Sequence, residues 1–154
     1  MIVRAGDLAK DGAAILAIVN DAILNTTAWY EYDPWDQARL TSWFDAKQAE
    51  GWPLLVAEDD GVTLGFASFG SFRARPAYAQ TVEHSVYVAA AARGRGVGRR
   101  LLDAIVAEAT RRGHHTMIGG VDAANEGSLA FHRAAGFLEA GRMREVGRKF
   151  DRWL

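Results

Sequence analysis

Apolar residues recur at helical spacing in two long stretches of the chain. The first stretch predicts an amphipathic helix whose apolar face carries Ile15, Ile18, Val19, Ala22 and Ile23. The second predicts a helix over residues 96–112 whose inner side carries Val97, Leu101, Leu102, Ile105, Val106 and Ala109. Gly113 follows this second stretch, and glycine is the usual residue after the end of a helix.

Two further helices are predicted from capping residues. Asp33 as N-cap with Pro34 at the first helical position predicts a helix whose inner face carries Leu40, Trp43, Phe44 and Lys47. Asn125 predicts the start of a short helix over residues 126–135, which Gly136 ends.

Runs rich in β-branched residues separate these helices and predict strands. They lie at residues 2–4, 54–57, 62–69, 81–88 and 116–121, and again from Phe137 onward. The Asp59-Asp60-Gly61 turn joins two of them into a hairpin, and residues 72–80 form a loop. The order β-α-α-β-β-β-α-β-α-β predicts an α/β fold, a mixed sheet with helices on both sides.

Composition narrows the class of protein. The 154 residues are expected to form a single domain, 1–154, with 49% hydrophobic residues, as in globular proteins. The net charge of −1 gives no basic bias toward nucleic acid, and the apolar run at residues 13–19 is too short to span a membrane. The chain has no cysteine, which excludes disulfides and a thiol nucleophile and is compatible with the cytoplasm; nothing indicates a metal.

The most informative stretch is the glycine-rich turn between a predicted strand and the second long helix. It reads Arg93-Gly94-Arg95-Gly96-Val97-Gly98, and Arg99 and Arg100 follow. A helix N-terminus presents unpaired N–H groups and a positive dipole end, both of which attract phosphate. The glycines let the backbone approach a ligand and the four arginines add positive charge, so we interpret the turn as a pyrophosphate cradle. It lacks the Lys-Ser/Thr ending of a nucleoside triphosphate loop. The alternative is a plain tight connection.

Glu83 interrupts an otherwise β-branched strand, where acidic residues are uncommon. A partly buried carboxylate has a raised pKa and can act as a general base. The alternatives are a solvent-facing residue or a salt bridge to Arg73 or Arg75.

His132 lies seven residues after Asn125, two helical turns along and near the same face. A histidine can give or take a proton near neutral pH, and the Asn125 side chain could hold a ligand. The alternatives are a structural histidine and a simple N-cap.

Together these motifs resemble the Gcn5-related N-acetyltransferase (GNAT) superfamily. Arg93-x-x-Gly96-x-Gly98 matches its signature, and Asn125 matches a second element in which His132 takes the place of a tyrosine. The segments at residues 25–28, 82–88, 131–137 and 146–150 resemble the phosphinothricin and methionine sulfoximine acetyltransferases. The resemblance implies the acyl-CoA N-acyltransferase fold, a central twisted mixed sheet flanked by helices.

The resemblance also implies site residues. The acetyl-CoA donor would be bound by the main chain of one strand, by the glycine-rich turn and by the start of the last helix. These residues are Val86, Tyr87, Val88, Arg93, Gly94, Arg95, Gly96, Val97, Gly98, Arg99, Asn125 and Ser128. The substrate would meet Arg73, Ala74 and Arg75 through its carboxylate and side chain, and Glu83, His84 and Ser85 through its amine.

The implied reaction is acetyl transfer to the α-amine of a small amino acid analogue such as methionine sulfoximine, methionine sulfone or phosphinothricin. Glu83 would take the amine proton, an N–H of Val86 or Tyr87 would stabilise the oxyanion, and His132 would protonate the departing thiolate. The alternatives are an acetyltransferase for another amine and an acyl-CoA-binding sensor without turnover. The relatives are usually homodimers, and we expect the same here.

Three features of the sequence depart from the family pattern or allow two interpretations. The loop carries Arg73-Ala74-Arg75-Pro76 where relatives often carry an arginine and an aromatic residue. Relatives continue with another strand after Trp153-Leu154, so either this last strand is lacking or it comes from elsewhere, and without it an exposed sheet edge is expected. The aromatic residues Trp29, Tyr30, Tyr32 and Trp35 form either a lid over the substrate or part of the core.

Overall fold

Five strands form the central sheet of the computed structural model, which describes residues 1–154. They are β1 (Ile2–Ala5), β2 (Leu54–Asp59), β3 (Val62–Ser71), β4 (Thr81–Val88) and β5 (Thr116–Ile118). The helices are α1 (Leu8–Asn25), α2 (Gln37–Ala49), α3 (Val97–Arg111) and α4 (Glu126–Ala134), with short 3₁₀ turns at Pro76–Tyr78 and Ala90–Ala92. A separate hairpin pairs β6 (Arg148–Lys149) with β7 (Arg152–Trp153).

The strands lie side by side in the order in which they occur along the chain. Neighbours run antiparallel except β4 and β5, which run parallel. Parallel neighbours require a crossover connection, and α3 provides it. The mixed α/β sheet predicted from the element order is therefore confirmed.

Helices cover both faces of the sheet and bury two apolar cores. On one face α1 and α2 pack on Val56 and Phe66, and on the other α3 packs on Ala67, Phe69 and Val82. The predicted apolar faces of α1 and α3 are buried, except that Val106 is 37% exposed at the edge of α3. None of the helices combines the length and apolar character needed to cross a membrane.

Helix α2 begins three residues later than the capping pattern predicts. Asp36, and not Asp33, is the N-cap, and its side chain accepts from the Arg39 amide at 2.8 Å. The reason is the anchoring of Trp35, whose amide and carbonyl both bond to the Asn20 side chain of α1. This bonding and the burial of the Trp35 ring hold the preceding residues outside the helix.

Two strand predictions are wrong in the C-terminal third. Strand β5 ends at Ile118 instead of continuing to residue 121, because Gly119 and Gly120 leave the sheet. No strand begins at Phe137, and regular structure resumes only in the short β6–β7 hairpin. Strand β5 has β4 as its only neighbour, so its other edge is unpaired in this structure.

A buried charge cluster joins β1, α1 and β3. The Asp11 carboxylate, fully buried, accepts from both Arg4 Nη atoms at 2.7 and 2.8 Å and from Thr63 Oγ1 at 2.6 Å. It also accepts from the Asp7 amide at 2.8 Å. Burial alone would raise the pKa of Asp11, but the bonds from Arg4 and Thr63 outweigh it and hold the pKa at about 2.

Candidate active site

Strand β4 and the edge strand β5 separate beyond Glu83. Strand β4 pairs with β3 from Val82 to Val88 but with β5 only from Thr81 to Glu83. The Ala89 amide bonds to Leu64 of β3, and antiparallel ladders alternate, so Val86 and Val88 turn their main-chain groups toward β5. Beyond Glu83 no strand receives them. A ligand can therefore bind to β4 as an added strand.

The glycine-rich turn lies at the mouth of this opening and leads into α3. Gly94 and Gly96 have φ values of 74° and 77°, a left-handed conformation that glycine adopts without strain. The amides of residues 94–99 find no acceptor within the chain, and no side chain caps α3. This row of unpaired donors at a helix N-terminus fits a diphosphate.

The arginines of the turn lie at the surface and are paired with acids. Arg93 bonds to Asp21 at 3.1 Å, Arg95 to Asp59 at 3.3 Å and Arg99 to Asp103 at 2.8 Å, with all three guanidinium side chains half-exposed. Exposed ion pairs contribute little to stability. These side chains can exchange their carboxylate partners for a phosphate at small cost.

Glu83, Ser85 and Tyr87 share one face of β4, on the side of α1 and α2. Glu83 is exposed, which corrects the expected partly buried carboxylate and agrees with the solvent-facing alternative; it makes no ion pair, so a bridge to Arg73 or Arg75 is not observed. Gly120 leaves room for its carboxylate, since a Cβ there would lie 3.1 Å from Glu83 Oε1. Burial raises the pKa of Tyr87, whose hydroxyl donates to the Ala28 carbonyl at 2.8 Å.

His84 lies on the opposite face of β4 and is buried. The predicted wall of Glu83, His84 and Ser85 is therefore divided, because neighbouring residues of a strand point to opposite faces. The His84 ring stacks on that of His132, with centroids 5.2 Å apart and an interplanar angle of 28°. The structure thus brings together two histidines, His84 and His132, that lie far apart in the sequence.

Helix α4 positions His132 and Asn125. The Asn125 side chain accepts from the Ser128 amide at 3.0 Å, which confirms the predicted N-cap. His132 Nδ1 lies 2.7 Å from the Ser128 carbonyl, and a carbonyl only accepts, so Nδ1 carries the hydrogen. Nε2 of the neutral ring is left with a lone pair, and it is buried without a partner.

The structure has two open clefts near residues predicted for the site. One, of about 360 Å³, lies beside Asn125 and is lined by Thr27, Asp122 and Arg152 among others. The other, of about 500 Å³, is lined by Arg73, Ala74, Arg75 and Tyr78. It coincides with the loop predicted to meet the substrate. Neither Arg73 nor Arg75 forms a salt bridge, and the Arg73 guanidinium lies over the rings of Phe72 and Tyr78, 5.1 and 5.8 Å from their centroids.

The aromatic segment after α1 belongs to the core only in part. Trp35 belongs to the core and Trp29 packs against it, with ring centroids 5.2 Å apart. Tyr30 and Tyr32 are 54% and 67% exposed. The Tyr32 hydroxyl donates to the Arg148 carbonyl at 2.8 Å and so ties this segment to the C-terminal hairpin.

Three features near the site were missed by the sequence analysis. Lys149 is buried and donates to the Trp29 carbonyl, and burial lowers its pKa. Asp122 accepts from Thr27 Oγ1 at 2.6 Å. Gly119 approaches both histidine rings closely. No local pattern identifies these contacts, since each joins segments distant in the sequence.

Three features meet at the opening between β4 and β5. They are the free main-chain groups of β4, the uncapped N-terminus of α3 and the exposed carboxylate of Glu83. The first two suit the extended arm and the diphosphate of coenzyme A, and the third suits proton removal from a nucleophile. The fold and the site together define an acyl-CoA-dependent acyltransferase.

Comparison with known proteins identifies the family. Residues 20–137 match the acetyltransferase (GNAT) family model. The chain is 46% identical to an L-methionine sulfoximine/L-methionine sulfone acetyltransferase of Pseudomonas paraeruginosa over 94% of this chain and 84% of that relative. The chain therefore belongs to the GNAT family, and it is an acetyltransferase with acetyl-CoA as its acetyl donor.

Solved structures agree with this assignment. An N-acetyltransferase from Staphylococcus aureus Mu50 superposes with a TM-score of 0.96 at 47% identity, covering 99% of this chain and 92% of that one. A phosphinothricin acetyltransferase from Sinorhizobium meliloti, solved in complex with acetyl-CoA, superposes with a TM-score of 0.93 at 36% identity. That match covers 99% of this chain and 83% of the other.

Proposed function

We propose that this enzyme acetylates the α-amine of a small amino acid analogue such as L-methionine sulfoximine, methionine sulfone or phosphinothricin. The observation that carries the proposal is the position of Glu83. Its unpaired, exposed carboxylate lies on β4 beside the point where the main chain of that strand becomes free. The relatives named for these substrates support the choice of acceptor.

The donor is held by main-chain groups in this proposal. The amides of residues 94–99 bind the diphosphate, and Val86 and Val88 pair with the pantetheine arm. Asn125 and Ser128 lie at the start of α4, on the same side of the opening. Acetyl-CoA supplies the acetyl group as a thioester.

Glu83 acts as the general base. An amine attacks a carbonyl only when its lone pair is free, and α-amino groups are largely protonated at neutral pH. Glu83 takes the proton, directly or through a water molecule, and the amine nitrogen then forms a bond to the acetyl carbon. The carbon–sulfur bond breaks, and its electron pair leaves with the coenzyme A thiolate. No acyl-enzyme on cysteine is available, since the chain has none.

The Val86 amide stabilises the oxyanion. The sequence did not decide whether the amide of Val86 or that of Tyr87 plays this role. Because the hydrogen-bonding direction alternates along an antiparallel strand, the Tyr87 amide points toward β3 and the Val86 amide toward the opening. A fixed donor at that point stabilises the negative charge that develops on the acetyl oxygen.

His132 supplies the proton that the thiolate takes, directly or through one water. Its Nδ1 hydrogen is bound to the Ser128 carbonyl, so the proton must leave from Nε2. His132 donates only after Nε2 has itself been protonated, so the environment of that nitrogen matters for turnover.

Arg73 binds the substrate carboxylate in a forked geometry that lysine cannot reproduce. Arg73→Ala is expected to raise KM for the amino acid more than tenfold and to leave KM for acetyl-CoA within about twofold. Arg75→Ala is the matched control, because it removes the neighbouring cation of the same loop. Equal effects of Arg73→Ala on both KM values would make Arg73 a structural residue.

A thiol-release assay with acetyl-CoA and a panel of amines tests the substrate class. We expect turnover with L-methionine sulfoximine, methionine sulfone and phosphinothricin, and none with spermidine. Turnover with polyamines or aminoglycosides alone would replace the proposal by an acetyltransferase for another amine. Acetyl-CoA binding without turnover on any amine would favour a sensor. The homodimer stays a prediction, which light scattering of the purified protein tests.

A further inference from the structure

The two stacked imidazoles occupy an aromatic box between β4 and α4. Phe137 packs edge-on against both rings, with centroids 5.3 Å from His84 and 5.4 Å from His132. Phe131 packs against His132 at 5.1 Å. No charged side chain bonds to either ring. The polar neighbours of His132 are the Ser128 carbonyl at 2.7 Å, the Ser128 hydroxyl at 3.4 Å and the His84 ring.

Three ring nitrogens in this box have no hydrogen-bond partner. They are both nitrogens of His84 and Nε2 of His132, and all three are buried. Buried polar groups are nearly always bonded, so unpartnered ones call for an explanation. Here they lie next to the opening between β4 and β5 rather than deep in the core.

Gly119 shows which way the nitrogens point. A Cβ at this position would lie 2.8 Å from His84 Nε2 and 3.2 Å from His132 Nε2. Both Nε2 atoms are therefore directed at the same stretch of main chain, directly after β5. The absence of a side chain at residue 119 permits this approach.

We propose that His84 is a positioning residue that acts through His132, holding the His132 ring by stacking and giving the charged form of that ring a neutral, polar neighbour. This inference rests on the proposed function, in which His132 Nε2 must carry a proton before the thiolate can take it. His84 was predicted to face the substrate amine, but it lies on the face of β4 opposite to Glu83 and so acts through His132 instead.

Burial makes His84 suitable for this role. Burial, reinforced by the nearby His132 charge, lowers the pKa of His84 to about 4, so its ring stays neutral at physiological pH. A neutral imidazole stacked on a protonated neighbour does not repel it. With an apolar ring in its place, the polar surroundings of His132 would be reduced to Ser128 and the Gly119 main chain.

His84→Phe and His84→Gln test the role by separating shape from polarity. Phenylalanine keeps an aromatic ring on His132 but removes the nitrogens, whereas the glutamine amide reaches the region of Nε2. We expect His84→Phe to lower kcat about tenfold with KM for acetyl-CoA within about twofold, and His84→Gln to recover most of the loss. Thermal melting of both variants shows whether they fold. Unchanged kcat in His84→Phe, or equal losses in both folded variants, would overturn the inference.

A double-mutant cycle with His132→Phe separates this inference from the proposed function. His132→Phe alone is expected to lower kcat about 100-fold, and adding His84→Phe should cost nothing more. If His132→Phe keeps full activity, the proposed role of His132 fails. If His132→Phe lowers kcat and the double variant loses the product of the two single fold-decreases in kcat, only the proposed role of His84 fails.

One readout does not depend on activity. In protein with ¹⁵N-labelled histidines, His84 should show neutral ring signals down to about pH 5, because its pKa is about 4. Besides burial, the charge of His132 is the one influence that lowers the pKa of His84. A His84 ring that becomes charged near pH 6.5 would contradict the inference even if no amine substrate were found.

Discussion

Two buried polar clusters lie on different parts of the sheet, and they differ in one respect. The Asp11 carboxylate has a partner for each of its oxygens, from Arg4, Thr63 and a main-chain amide. The His84–His132 pair leaves three ring nitrogens without any. A saturated cluster joins elements of the fold, whereas an unsaturated one beside an opening is available to a reaction. The hydrogen bonding of buried polar atoms is thus the difference between the Asp11 cluster and the pair for which we propose a role in the reaction.

Removing the carboxylate of the saturated cluster should have the largest effect on stability. Asp11→Ala leaves Arg4 without its buried partner, and breaking a buried pair in this way costs about 3–5 kcal/mol. Urea unfolding measures this loss. Glu108→Ala is the control, since its bonds to Arg111 and Arg112 lie on a helix surface and should cost about 0.5 kcal/mol. An equal loss of unfolding free energy in both variants would mean that the buried Asp11 cluster stabilises the fold no more than a surface ion pair does.

Acid should weaken the same cluster. The folded pKa of Asp11, about 2, lies below the ordinary value of 3.8, so its contribution is full above the unfolded pKa and is lost as the pH falls through both values. We expect a loss of about 2 kcal/mol between about pH 5 and pH 2 that is specific to Asp11. Urea titrations of the wild type and Asp11→Asn over this range measure it. Parallel pH curves for the two proteins would contradict the assignment.

A methyl group at residue 119 should disturb the unsaturated cluster. The Cβ of Gly119→Ala would meet His84 Nε2 at 2.8 Å, so one or both rings must shift, at a cost of about 1–3 kcal/mol. We expect kcat to fall while KM for the amino acid changes little. Gly141→Ala is the matched control, because no atom lies within 4 Å of a Cβ there. Full activity in a folded Gly119→Ala would show that ring placement is not critical.

The sequence predicts the parts of this molecule that depend on local pattern. Apolar spacing located the buried faces of α1 and α3, and Asn125 was recognised as an N-cap. The glycine-rich turn was recognised because positive φ values and an uncapped helix both follow from local residue choice. The boundary of α2 was missed because a tertiary contact, Trp35 to Asn20, decided it.

The sequence does not predict the features that depend on contacts between distant segments, such as the length of β5 and the surroundings of His84. Strand β5 was expected to be longer, but the divergence at Gly119 ended it and opened the site. The position of His84 follows from strand alternation once the faces are assigned, yet the sequence alone does not show which face meets α4. Its stacking on His132 joins distant segments, so no spacing rule could reveal it.

The central claim, that Glu83 activates the amine for direct attack, is tested most directly by Glu83→Gln. Thiol release with acetyl-CoA and L-methionine sulfoximine at pH 7 should fall about 100-fold or more, with acetyl-CoA binding preserved in calorimetry. Glu139→Gln provides the control, since that exposed carboxylate pairs only with Arg133 and Arg142. A Glu83→Gln enzyme that binds acetyl-CoA and turns over at the wild-type rate would contradict the account.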